Sequence, residues 1–157
     1  MTAHHLAQLN LVELRAPLES PEYAGFVALL DPINTLADRS PGFVWRLRAE
    51  DGADATSLRP FGPDVLVNLT VWETREALWD FTYRSGHLDA LRRRREWFSP
   101  MARPSQVMWW TPAGTLPTVA EAARRLALLT EHGPGPDAFT FKDDVPAPGT
   151  PAAGLPG

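Results

Sequence analysis

Residues 64–110 constrain this chain more than any other stretch, because they spell out strand, helix, turn and strand in turn. In DVLVNLTVW, Val65, Val67, Leu69 and Val71 alternate with Leu66, Asn68, Thr70 and Trp72. Strand side chains point to opposite faces at every second residue. One face is therefore wholly aliphatic, while the other mixes amide, hydroxyl and indole. The next segment, ETREALWDFTYRSGHLDALRRRREWF, has helical spacing, with Thr74 as its cap. Gly86 marks a local kink, since Gly inside a helix costs about 1 kcal/mol against Ala. The turn SPMARP then leads into a strand over 105–110, SQVMWW.

The rest of the chain repeats this theme. Leu6 to Leu14 alternates as a strand, and a helix begins at Ser20-Pro21 with a break expected near Leu30 to Pro32. Phe43 to Arg48 is a strand, with Phe43, Trp45 and Leu47 on one face and Val44, Arg46 and Arg48 on the other. A Gly- and Pro-rich loop follows. A last helix, Val119 to His132, is capped by Thr118 and stopped by Gly133-Pro134. Ala138 to Lys142 is a short extended piece. The order β-α-β, β-α-β and extra helix predicts an α+β, ferredoxin-like domain over 1–142, with a disordered Pro/Gly/Ala-rich tail over 143–157.

In that arrangement Ala7, Leu9 and Leu11 join the Val65-to-Val71 row beneath the helices. Gln8, Asn10, Asn68, Thr70, Trp72, Gln106, Met108 and Trp110 form the opposite face. That face is too apolar for water and too polar for a dry core. Covering it with a second copy predicts a homodimeric α/β barrel enclosing pockets.

Composition removes several function classes. A formal net charge of −4 argues against a nucleic-acid partner, because phosphate contacts need a basic surface. With no Cys there is no thiol nucleophile or disulfide framework. The His spacing suits no metal site. No apolar run reaches membrane-spanning length and the N-terminus does not read as a signal peptide, so a cytoplasmic protein with no membrane partner is expected.

At WETREALWDFTYRSGHLDALRRRREWF and WWTPAGTLPTVAEAARRLALLTEHGPGPDAFTF the chain resembles a bacterial family known as domain of unknown function 3291. The resemblance runs from Leu6 to Lys142. It implies a dimeric α/β barrel similar to the cofactor-independent antibiotic-biosynthesis monooxygenases, which oxidise phenols and dihydroquinones with molecular oxygen. Those enzymes place an Asn and a Trp four apart on an inner strand and an Arg on the following helix. Asn68 and Trp72 match the strand spacing, and Arg92 is the nearest match to the helix Arg. Leu78 and Trp79 stand where that family's pattern has a Tyr, which departs from it.

The residues themselves leave alternatives open. Asn68 and Trp72 share a strand face, so they serve either as amide donor and aromatic wall for a substrate or as packing. Tyr83, His87 and Arg94 share a flank of an unbroken helix, where His87 is either a base or ligand, or a structural residue. Arg92 and Arg93 have Asp89 and Glu96 within helical reach, whereas Arg94 and Arg95 have no such partner. Arg46 and Arg48 read as a solvated strand edge or an anion site. The candidate catalytic set is Asn68, Trp72, His87, Arg92 and Arg94. The candidate substrate-binding set is Trp45, Tyr83, Met108 and Trp110. Three functions fit: a cofactor-free monooxygenase acting on a small aromatic in secondary metabolism, a haem-binding barrel with His87 as axial ligand, or a non-catalytic small-molecule-binding dimer.

Overall fold

The computed structural model describes residues 3–50, 52, 54–101 and 104–149. Its elements are β1 (His4–Leu14), α1 (Ala24–Arg39), β2 (Phe43–Arg46), β3 (Val65–Trp72), α2 (Arg75–Arg84), α3 (His87–Arg92), α4 (Arg94–Trp97), β4 (Phe98–Ser99), β5 (Gln106–Pro112) and α5 (Val119–His132). A 3-10 turn at Pro21–Tyr23 leads into α1. Strand β1 is central and antiparallel to β3 on one side and to β5 and the short β4 on the other. Strand β2 lies at the edge beside β3. Among the long strands this is the ferredoxin-like order, and the class is α+β as expected.

Which face lies under the first four helices is the reverse of the expectation. Ala7, Leu9, Leu11, Val65 to Val71 in alternation, Val107 and Trp109 form one core with Ala122, Leu126 and Leu129 of α5. Ala55, Leu58 and Phe61 from the long loop after β2 seal the same face. The mixed face lies instead beneath α1 to α4. There Leu6, Trp72 and Met108 pack with Ala37, Leu78 and Phe81, and Leu14 and Leu66 pack with Phe26, Leu29 and Trp97. Strand alternation separates two faces without saying which receives which helix, and the amphipathic α5 provides the dry lid that the aliphatic face needs. Both faces are covered within one chain, so the mixed face needs no second copy to hide it.

Two local irregularities shape the sheet and its helices. The β2–β3 register shifts between Phe43 and Trp45. Phe43 therefore meets Trp72 edge-on, with ring centroids 5.4 Å apart, while Val44, Trp45 and Leu47 turn to the α5 side. One extra residue in an edge strand is enough to bring Phe43 and Arg46 to the same face. Helix α1, in contrast, continues through Pro32. Proline removes the bond to the carbonyl four residues back, here that of Ala28. Both Pro32 and Ala28 are exposed, so that carbonyl is left open to solvent and not buried without a partner.

Two caps fall where the sequence placed them, whereas Ser20 makes no side-chain cap bond and α1 starts only at Ala24, after the 3-10 turn. The Thr74 hydroxyl accepts from the Ala77 N–H at 3.0 Å, and the Thr118 hydroxyl from the Glu121 N–H at 3.1 Å. Gly42, with φ +83°, closes the turn into β2, and a Cβ there would come within 2.5 Å of the Ala77 Cβ. The start of the expected tail is anchored. Arg75 donates to the carbonyls of Phe141 and Asp143, and the Trp110 indole donates to that of Val145. Residues 150–157 lie outside the described residues. No helix among the described residues is long and apolar enough to cross a membrane.

Candidate functional site

The mixed face is laid out in rows set by strand register. Gln106, Asn10 and Asn68 align across β5, β1 and β3. Met108, Gln8, Thr70 and Arg46 make the next row, and Trp110, Leu6, Trp72 and Phe43 the third. The third row packs under α2, with Trp72 at the cavity edge. The first two, Met108 excepted, form the floor of a cavity of about 600 Å³ roofed by α1, α3 and the end of α2. A narrower arm of about 220 Å³ runs on among Phe26, Leu29, Leu30, Trp97 and the 54–56 segment. Asn10, Asn34, Arg46, Asn68, His87 and Arg94 border both volumes, so the polar groups gather where the two meet.

His87 reaches this junction because the expected single helix is broken. The Ser85 hydroxyl donates to the Phe81 carbonyl, and the His87 backbone N–H donates to the Ser85 hydroxyl at 3.2 Å. A side chain that competes for backbone groups ends a helix, so α2 stops and α3 starts afresh at His87. The imidazole packs against Phe81, with centroids 4.9 Å apart, and its Nδ1 lies 3.1 Å from the Thr82 carbonyl. A carbonyl only accepts, so Nδ1 carries the proton and Nε2 keeps a free lone pair. Burial pushes the His87 pKa below its usual 6.5, against a smaller raising effect of the Thr82 bond. His87 is thus a neutral base at pH 7.

The amides are poised differently. Among the described residues the side chains of Asn10, Asn34 and Asn68 make no hydrogen bond to protein, and Asn68 is exposed to the cavity. Trp72 is fully buried: its indole N–H donates to the Thr70 hydroxyl at 3.0 Å, which donates to the Gln8 side-chain oxygen at 3.2 Å. Phe81 stacks on it at 5.1 Å. The indole N–H is therefore occupied, and Trp72 contributes surface rather than a donor. Arg46 holds Asp38 of α1 at 2.9 Å. Arg94 donates to the Leu91 carbonyl at 3.0 Å.

Of the nine candidates, Asn68, Trp72, Tyr83, His87 and Arg94 line the cavity. The other four do not. Arg92 is exposed on the outer side of α3, because the helix break changes the rotation of everything after Ser85. Trp45 faces α5 on account of the β2 bulge. Met108 is buried against the 138–139 segment, with its N–H bonded to the Phe139 carbonyl, and Trp110 is tied to Val145. Asn34 was passed over. An Asn inside the apolar stripe of α1 was the available signal.

Fold and site together define an α+β sheet protein with an amide-rich cavity between its sheet and its helices. The chain belongs to the family described as Domain of unknown function (DUF3291), whose model matches residues 5–154. No curated protein matches it. Among solved structures it is similar to NE2512, a protein of unknown function from Nitrosomonas europaea, at 14% identity. That match covers 75% of this chain and 99% of the other, with a TM-score of 0.51. It is also similar to SnoaB, a cofactor-independent oxygenase from Streptomyces nogalater, at 20% identity over 74% of this chain and 100% of that one, with a TM-score of 0.47. Rv0793 from Mycobacterium tuberculosis matches at 20% identity over 73% and 98%, with a TM-score of 0.43. At these identities the likeness is one of fold.

Proposed function

We propose that the chain is a cofactor-independent monooxygenase acting on a small phenol or dihydroquinone, in keeping with the family resemblance carried by its helix and C-terminal motifs. The observation that supports this most is His87, a neutral imidazole with Nε2 free, bordering the same junction as the unpartnered Asn68 amide. His87 takes the phenolic proton, and the Asn68 N–H donates to the oxyanion that results. The electron-rich anion reduces dioxygen. One oxygen atom enters the substrate as a carbonyl and the other leaves as water. The substrate supplies all four electrons, so no outside reductant is needed.

Each copy encloses its own cavity, so in a homodimer the copies join through surfaces outside it. The cytoplasm, where small aromatic metabolites are made, is the setting this reading assumes. Oxygen-electrode assays with dihydroquinones and anthrones test the chemistry. His87→Ala and Asn68→Ala should each lower turnover by about 10²-fold or more with thermal unfolding little changed. Full activity in both variants would refute the assignment.

A second reading has one observation in its favour. A ring nitrogen fixed by a backbone carbonyl is how metal-bound His is usually oriented, so His87 is the residue that would ligate a haem iron. A Soret band that appears with hemin and is lost in His87→Ala would favour this reading over the first.

A further inference from the structure

We propose that the substrate carries a carboxylate as well as a phenol, and that Arg94 and Arg95 bind that carboxylate at the rim of the cavity. This rests on the oxygenase site proposed above and names the class of molecule it takes: aromatic hydroxy acids.

The argument begins with charge. The chain is acidic overall, with 19 Asp and Glu against 15 Lys and Arg. Among the described residues, the larger cavity nevertheless has three Arg in its wall and not one carboxylate. Arg46 is committed to Asp38 through two guanidinium contacts, at 2.9 and 3.4 Å. Two neighbouring arginines are neutralised as well, with Arg93 on Glu96 at 2.7 Å and Arg84 on Asp80 at 3.6 Å, while Arg92 points away from the cavity. Arg94 and Arg95 differ. Among the described residues no Asp or Glu lies within ion-pair distance of either, and Arg94 has only the Leu91 carbonyl. Both guanidinium groups stand in the wall of the same cavity without a counter-charge, and an anion bound there supplies one.

Position supports the same conclusion. Arg94 borders both volumes of the cavity, as does His87. His87 opens α3 and Arg94 opens α4, seven residues on, a span of roughly 10 Å at helical rise. That is the reach of a two-ring aromatic acid with its hydroxyl and carboxylate at opposite ends. The hydroxyl then meets His87 and Asn68 while the carboxylate meets Arg94. Phe26, Leu29 and Trp97 of the apolar arm take the ring edge. The carboxylate sets which phenol binds and in which direction, and takes no part in the oxidation.

The test compares 6-hydroxy-2-naphthoate with 6-hydroxy-2-naphthamide, which keeps the phenol and the shape but lacks the charge. Binding is read by calorimetry at pH 7.5, without oxygen. The acid is expected to bind at least 10-fold more tightly, with a preference that shrinks as salt rises. The double variant Arg94→Gln/Arg95→Gln should bring the acid down to the affinity of the amide. Unchanged amide binding in that variant reports an intact cavity. Arg124→Gln, on α5 across the sheet, should alter neither. Equal binding of acid and amide by the unmodified protein, or a preference that survives the double variant, would overturn the proposal and leave the oxygenase reading standing. Binding of neither compound would overturn both.

Discussion

Chemistry at the scale of single residues turns on how His87 is held. Its location on the helix and its suitability as a base were legible, because only one His sits in that segment. Its tautomer was not, since it depends on the Thr82 carbonyl five residues earlier. Burial lowers the folded-state pKa below the unfolded 6.5, and this has a sign. Between those two values the unfolded chain binds the proton and the folded chain does not, so folding loses stability as pH falls through that window. Above pH 6.5 the contribution is fully present. Denaturant unfolding followed from pH 7.5 to 5 should therefore show a decline on the acid side that is smaller in His87→Gln. An identical decline in both proteins would mean that His87 is not protected from protonation.

Elements tell a different story from residues. The caps at Thr74 and Thr118 and the stop at Gly133 were readable because each depends on one local hydrogen bond or one backbone angle. A kink at Gly86 was readable too, but its becoming a full break between α2 and α3 was not, because that depends on where the Ser85 hydroxyl turns. The second break, at Arg93, left no local signal. The first takes Arg92 out of the site and leaves His87 within it. Gly86 has an ordinary helical φ of −60°, and a Cβ there meets only Leu36 at 3.5 Å. Ser85→Ala/Gly86→Ala thus favours a continuous helix by about 1 kcal/mol from Gly86 alone. It should raise helicity by circular dichroism while cutting turnover by about 10²-fold, through a displaced His87. Raised helicity with full turnover would show that the break does not position the base. The bulge in β2 carries a similar lesson: one residue of register decided that Arg46, and not Trp45, borders the cavity.

Taken as a whole, the molecule inverts the expected use of its sheet. Strand alternation revealed two faces of different character, and the character of each was read correctly. The choice of cover was not, because it depends on tertiary packing of α5 and the 55–61 loop against the aliphatic face. The consequence is functional. The amide row of Asn10 and Asn68 lies beneath the protein's own helices, opposite His87, and not between two copies. A crystal structure with 6-hydroxy-2-naphthoate bound tests this most directly. The account predicts ring density inside a single chain, between the β1–β3 floor and α1–α3, with the phenol oxygen in hydrogen-bond reach of His87 and Asn68. Density confined to a junction between two chains, or on the α5 side of the sheet, would contradict it.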